Sequence, residues 1–237
     1  MAPVQNMNEL NAIYGRLWEE SYPQFQNGVF QLDSLILSPE DQRRGITLLA
    51  RITNPVDQEI SCFLNDANSL EPHQYYYPTS DLHLTILSII TCVEGFHLSS
   101  IDPQEYAEVI RNCCSRYHPF KIAFRGLTAS TSCIMVQGFP DDDRLNSLRE
   151  DLREGFSASH FCHSIDSRYP IKTAHSTVIR FQNPIGDSNS FIKLLERYRD
   201  HEFGILEVDQ LELVFNDWYQ TKSNTVLLDR FRLAERQ

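Results

Sequence analysis

The chain has 237 residues, 41% hydrophobic and 11% aromatic, with 32 acidic against 21 basic side chains and a formal charge of −11. That composition is globular, and a chain of this length buries a substantial core, as one large domain or two small lobes. It argues against a protein that tracks a long phosphate backbone, and no apolar run approaches the ~20 residues of a membrane helix; a small anionic ligand in a local pocket stays compatible.

In chain order, residues Met7–Glu20 carry helical spacing at Leu10, Ile13, Tyr14, Leu17 and Trp18, with Asn6 or Asn8 as the cap. Residues 1–45 as a whole are expected to form an N-terminal helical extension ahead of a main domain spanning 46–237. Ile46–Ile52 reads as a strand, Val56–Leu64 as a helix, and Asn65–Ser80 as a polar loop holding Tyr75, Tyr76 and Tyr77. Leu82–Ile90 is a strand, and Pro103–Tyr117 a helix capped by Asp102 with proline at its first position. Phe120–Leu127 and Cys133–Phe139 are strands. Asp143–Phe156 is an amphipathic helix with Leu145, Leu148, Leu152 and Phe156 on one face, and Ser157–Thr173 is a long loop. Ala174–Phe181 is a strand, Ser188–Arg199 a helix, and Val208–Phe215 with Thr225–Phe231 a closing hairpin.

The order strand, helix, long loop, strand, helix, strand thus occurs twice, which suggests two similar lobes facing each other. His83 and His175 occupy equivalent places in the two halves. Their strands read Asp81-Leu82-His83-Leu84-Thr85-Ile86 and Thr173-Ala174-His175-Ser176-Thr177-Val178. Residues i and i+2 of a strand leave the same face, so each histidine points with its threonine. Chance gives roughly 0.4 His-x-Thr matches in such a composition, so two at matching places are informative. Facing lobes would bring two imidazoles and two hydroxyls into one cleft, where one imidazole takes a proton while the other gives one and the hydroxyls hold a phosphate oxygen. His97-Leu98-Ser99 satisfies only a looser pattern and reads as loop.

The two motifs resemble the signatures of the 2H phosphoesterase superfamily, which includes LigT-like RNA 2′,5′-ligases/phosphodiesterases and cyclic nucleotide phosphodiesterases. The resemblance spans roughly residues 44–233, and Arg180 resembles the arginine that often ends the second motif in LigT-like members. It implies an α+β fold of two pseudo-symmetric lobes, with antiparallel sheets, helices on the outer faces and a central cleft. It also implies metal-independent phosphodiester chemistry on a small nucleotide: a cyclic phosphate, a 2′,5′-linked oligonucleotide or an RNA end. His83, Thr85, His175 and Thr177 would form the catalytic set, with base and acid unassigned between the histidines. The alternatives are a nucleotide or RNA-end binding module without turnover, and a structural protein in which the motifs are core.

Around this set, Tyr75 and Tyr77 are candidates to stack a base, while Arg168, Lys172 and Arg180 are candidates to meet phosphate. No cofactor is expected, because neither a P-loop nor a dinucleotide fingerprint occurs and His160, Cys162 and His163 lack the spacing and fourth ligand of a zinc site. Six scattered cysteines without a CxxC pair, and no signal-like pattern at Met1, lead us to expect a reduced cytoplasmic protein. We expect a monomer, with neither membrane nor long nucleic acid as partner.

Overall fold

The computed structural model of the chain describes residues 5–168 and 170–234. It contains five helices and nine strands among these residues: α1 (Gln5–Gln26), β1 (Arg44–Arg51), α2 (Val56–Leu70), β2 (Tyr75–Tyr76), β3 (His83–Val93), α3 (Pro103–Cys114), β4 (Phe120–Ser130), β5 (Cys133–Pro140), α4 (Arg144–Ser157), β6 (Ser176–Arg180), α5 (Ser188–Arg197), β7 (Glu202–Val208), β8 (Gln210–Asp217) and β9 (Val226–Arg232). Two antiparallel sheets form, in the orders β3-β1-β8-β9 and β2-β6-β5-β4-β7. This is the expected two-lobed α+β architecture.

The lobes are not the two halves of the sequence. Strand β4, read as the end of the first half, pairs with β5 in the second sheet, while β8 and β9 return to pair beside β1 in the first. The helices cross as well. Helix α2 leaves β1 of the first sheet, leads into β2 of the second and packs on β6, β7 and α5, whereas α4 connects two strands of the second sheet yet packs on α3 and β3. A main apolar core results, running from Phe25 to Leu233, with a small second cluster of Leu10, Tyr14 and Phe139 under α1.

Several boundaries follow local chemistry. Asp102 caps α3 as expected, accepting a hydrogen bond from the main-chain N–H of Gln104 at 3.0 Å. The cap expected at Asn6 or Asn8 is not one, because both positions lie inside α1. Strand β7 escapes a sequence reading because Gly204 breaks its run and Glu202 and Glu207 face solvent. Helix α1 is anchored rather than pendant. The Tyr14 hydroxyl, 1% exposed, donates to the carbonyl of Gly138 at 3.1 Å and accepts from the N–H of Ala174 at 3.0 Å. Ser21 likewise donates to the carbonyl of Ala129.

Strand β3 carries the feature that matters most for the cleft. Its register against β1 slips in three places, and the two nearest His83 are where Leu48 and Leu49 face Leu87 and Thr85 and where Ile46 and Thr47 face Ile90 and Ser88. Each slip inserts one extra residue, a β-bulge that re-aims the side chains after it. Ile86 and Ile89 are the extra residues, so His83, Thr85, Ser88 and Thr91 all lie half-buried on one face despite their uneven spacing.

Candidate active site

A cleft of about 190 Å³ opens between the two sheets, and His83, Thr85, His175 and Thr177 all line it. His83 is the first residue of β3, an edge strand of its sheet, and His175 stands one residue before β6. The approach of β3 to β6 is what brings the two motifs together. Close packing permits it on the second lobe. A Cβ on Gly138 would lie 1.9 Å from the carbonyl oxygen of Ala174, so only glycine lets the chain before His175 come this near β5.

Each imidazole is held through Nδ1 by the residue two positions earlier. His83 Nδ1 lies 2.7 Å from the carbonyl oxygen of Asp81, which only accepts, so this nitrogen carries a proton. Nε2 is then the nitrogen left for proton transfer. His175 Nδ1 lies 2.8 Å from the hydroxyl of Thr173, which accepts or donates. Burial pushes both histidines down from the ordinary 6.5 to about 4. The charge of Arg149, then His83, then Arg180 adds to the effect at His175, whereas at His83 the Asp81 carbonyl works against it.

The structure gathers some of the proposed ligand residues and not others. Tyr77, Arg168 and Arg180 line the cleft. Arg180 Nε donates to the hydroxyl of Tyr77 at 3.0 Å, which fixes both groups on the second wall. Arg168 lies exposed over the ring of Trp218, its guanidinium carbon 4.5 Å from the centroid. Tyr75 lies outside the lining, buried edge-on against the ring of Tyr77 at 5.0 Å. Lys172 belongs to a different groove, where its ammonium sits 3.8 Å from Glu9. His97 is exposed and lines no part of the cleft.

Sequence reasoning overlooked the rest of the first wall. Thr47, Ser88, Asn216, Trp218 and Gln220 all line the cleft. Asn216 near the end of β8 and Trp218 and Gln220 in the turn after it reach the cleft only because β8 returns to the first lobe, which the sequence does not reveal. This wall is uncharged, whereas the second wall carries Arg180. Among the described residues no group of three or more histidine, cysteine, aspartate or glutamate side chains is placed to hold a metal ion.

No family model and no curated protein matches the sequence. Solved structures do match the fold. TT0787 of Thermus thermophilus aligns with a TM-score of 0.55 at 15% identity, covering 81% of this chain and 100% of its own. Escherichia coli LigT, crystallised with NADP+, aligns with a TM-score of 0.51 at 13% identity over 82% of this chain and 99% of its own. The chain has the LigT fold. A structure described as a phosphoesterase gives 0.52 at 14% identity over 81% and 99% of the two chains. The LigT fold is thus contained nearly whole within this chain, and the two-lobed architecture implied by the paired motifs is the one found.

Proposed function

We propose that the protein is a 2H-type phosphoesterase that cleaves a small nucleotide phosphodiester without a metal ion. One observation carries this: two imidazoles, each anchored through Nδ1 and each accompanied by a threonine hydroxyl, line one cleft from opposite sheets. In that arrangement the neutral imidazole takes the proton from a water or ribose hydroxyl as its oxygen attacks phosphorus. The protonated imidazole gives its proton to the leaving oxygen as the P–O bond breaks. Thr85, Thr177 and Arg180 hold the non-bridging oxygens. Each proton transfer of this kind contributes ~10²–10⁴ in rate. The fold shared with LigT and the phosphoesterase supports the same reading.

A second reading, a nucleotide-binding module without turnover, is favoured by one specific observation. Both imidazoles titrate near 4, so in the empty cleft neither is charged at neutral pH. An anionic phosphate between them favours the protonated form and restores the acid. The test is incubation of the purified chain with 2′,3′-cyclic mononucleotides and 2′,5′-linked dinucleotides in EDTA, followed by phosphorus NMR. Turnover is the expected result. Saturable binding of these compounds without turnover would establish the second reading, and neither binding nor turnover would overturn both.

A further inference from the structure

Helix α4 carries one residue that helix amphipathicity does not explain. Arg149 falls on the buried face with Leu145, Leu148, Leu152 and Phe156, and it is 1% exposed. No carboxylate among the described residues lies within ion-pairing distance of it, and its Nη1 has no hydrogen-bond partner. Burial pushes the guanidinium down to about 10. A lone buried cation is costly, and an apolar side chain of similar volume would ordinarily serve the core better.

The guanidinium makes contacts that an apolar side chain cannot. Nε donates to the carbonyl of Ile86 at 2.9 Å, and Nη2 donates to the carbonyls of Thr85 and Thr173, each at 2.9 Å. Thr85 and Ile86 form the first bulge of β3, where a carbonyl would otherwise point off an edge strand unpaired. Thr173 is the residue whose hydroxyl meets His175 Nδ1. One planar fork therefore joins the bulge that follows His83 to the segment that aims His175. A lysine ammonium lacks that spread of donors.

We propose that Arg149 is a positioning residue of the cleft, bridging the main chain of the first motif to that of the second and so setting His83 and His175 relative to each other. It does not line the cleft and has no part in proton transfer. Only the activity arm of the test rests on the proposed phosphoesterase function.

The experiment compares Arg149→Met, Arg149→Lys and, as a packing control on the same helix, Leu152→Ala. Urea unfolding reports stability, proton NMR of the imidazole Cε1–H groups reports the titration of His83 and His175, and kcat and KM are taken on a 2′,3′-cyclic mononucleotide. The charged groups that face His175 are His83 on β3, Arg180 on its own strand and Arg149, with Asp166 and Arg168 further along the cleft. Misplacement of reacting groups by ~1 Å lowers rates ~10²-fold. Arg149→Met is expected to lower kcat by about that factor with KM changed less than threefold, and to raise the midpoint of His175. Arg149→Lys keeps the charge, so the midpoint stays and kcat falls about tenfold. Leu152→Ala loses stability with neither change. The proposal is overturned if folded Arg149→Met keeps wild-type midpoints and kcat, or if Leu152→Ala reproduces its effects. Should Arg149→Met fail to fold, wild-type kcat in Arg149→Lys overturns it. Should the unaltered chain turn over no phosphodiester, the phosphoesterase reading fails, and the imidazole Cε1–H chemical shifts of Arg149→Lys decide the role of Arg149: at unchanged charge they are expected to move, and wild-type shifts overturn the proposal.

Discussion

The hydroxyl of Thr173 lies 2.8 Å from Nδ1 of His175, and in the other lobe the carbonyl of Asp81 takes the same place beside His83. The two anchors differ in what they allow. The carbonyl fixes the proton on Nδ1 of His83, whereas the hydroxyl rotates and serves either tautomer of His175. Thr173→Val is therefore expected to lower kcat, by about tenfold, with little effect on KM, and Thr173→Ser to retain it. Steady-state kinetics on a cyclic mononucleotide checks this, and equal loss in both variants would assign the threonine methyl, not the hydroxyl, to the effect.

His83→Ala and His175→Ala are each expected to lower kcat by at least ~10²-fold, while His97→Ala keeps wild-type turnover. His97 is exposed and outside the cleft, so it serves as the control for imidazole loss as such.

Rate profiles should separate the empty cleft from the occupied one. The profile of kcat/KM reports the free enzyme, whose histidines titrate near 4, and that of kcat reports the complex. A bound phosphate raises both, so the kcat bell lies at higher pH than the kcat/KM bell. Stability follows the same groups. Between about 6.5 and 4 the unfolded histidines hold protons that the folded ones refuse, so the unfolded chain binds more protons and stability falls as pH drops through that window. Above about 6.5 neither state is protonated there and the contribution is constant. Urea midpoints at pH 7 and pH 5 test this, and His83→Gln/His175→Gln should lose less over the interval.

Arg168 and Lys172 were equal candidates in the sequence and should now part company. Arg168→Ala is expected to raise KM at constant kcat, because the guanidinium stands over Trp218 at the cleft wall. Lys172→Ala should change neither constant, since its ammonium faces Glu9 outside the cleft.

Tyr14→Phe removes the hydroxyl that meets the N–H of Ala174 and leaves that group buried without an acceptor. Such a loss costs ~1–3 kcal/mol. Urea unfolding measures it, and an unchanged midpoint would mean that water replaces the hydroxyl.

The paired motifs were legible because strand periodicity and equivalent position both survive in a single sequence: His83 with Thr85, and His175 with Thr177, do share a cleft. Tyr75 was misleading for a local reason. It keeps the two-residue spacing with Tyr77, but its ring turns behind its neighbour into the core instead of reaching the cleft. Ser88 and Thr91 were invisible because two bulges change the phase of β3, and a bulge depends on the register of the partner strand. Arg149 did leave a trace, as a charge four residues after Leu145 and three before Leu152 on an otherwise apolar face. What no periodicity encodes is which sheet a strand joins, so the return of β8 and β9 to the first lobe became evident only in three dimensions.

That return has a consequence for how the chain acquires its shape during synthesis. Strand β1 emerges from the ribosome shortly before its neighbour β3, but the strand on its other side, Gln210–Asp217, is made only after every strand of the second sheet. The first lobe thus stays open along one side until the second sheet has been synthesised, and closing it requires contacts between residues far apart in the chain, the slow class of folding event. Cutting the chain between the two histidine motifs would therefore yield two fragments that each expose unpaired strands. Such pieces would regain the cleft by binding one another, and neither would stand as a lobe by itself.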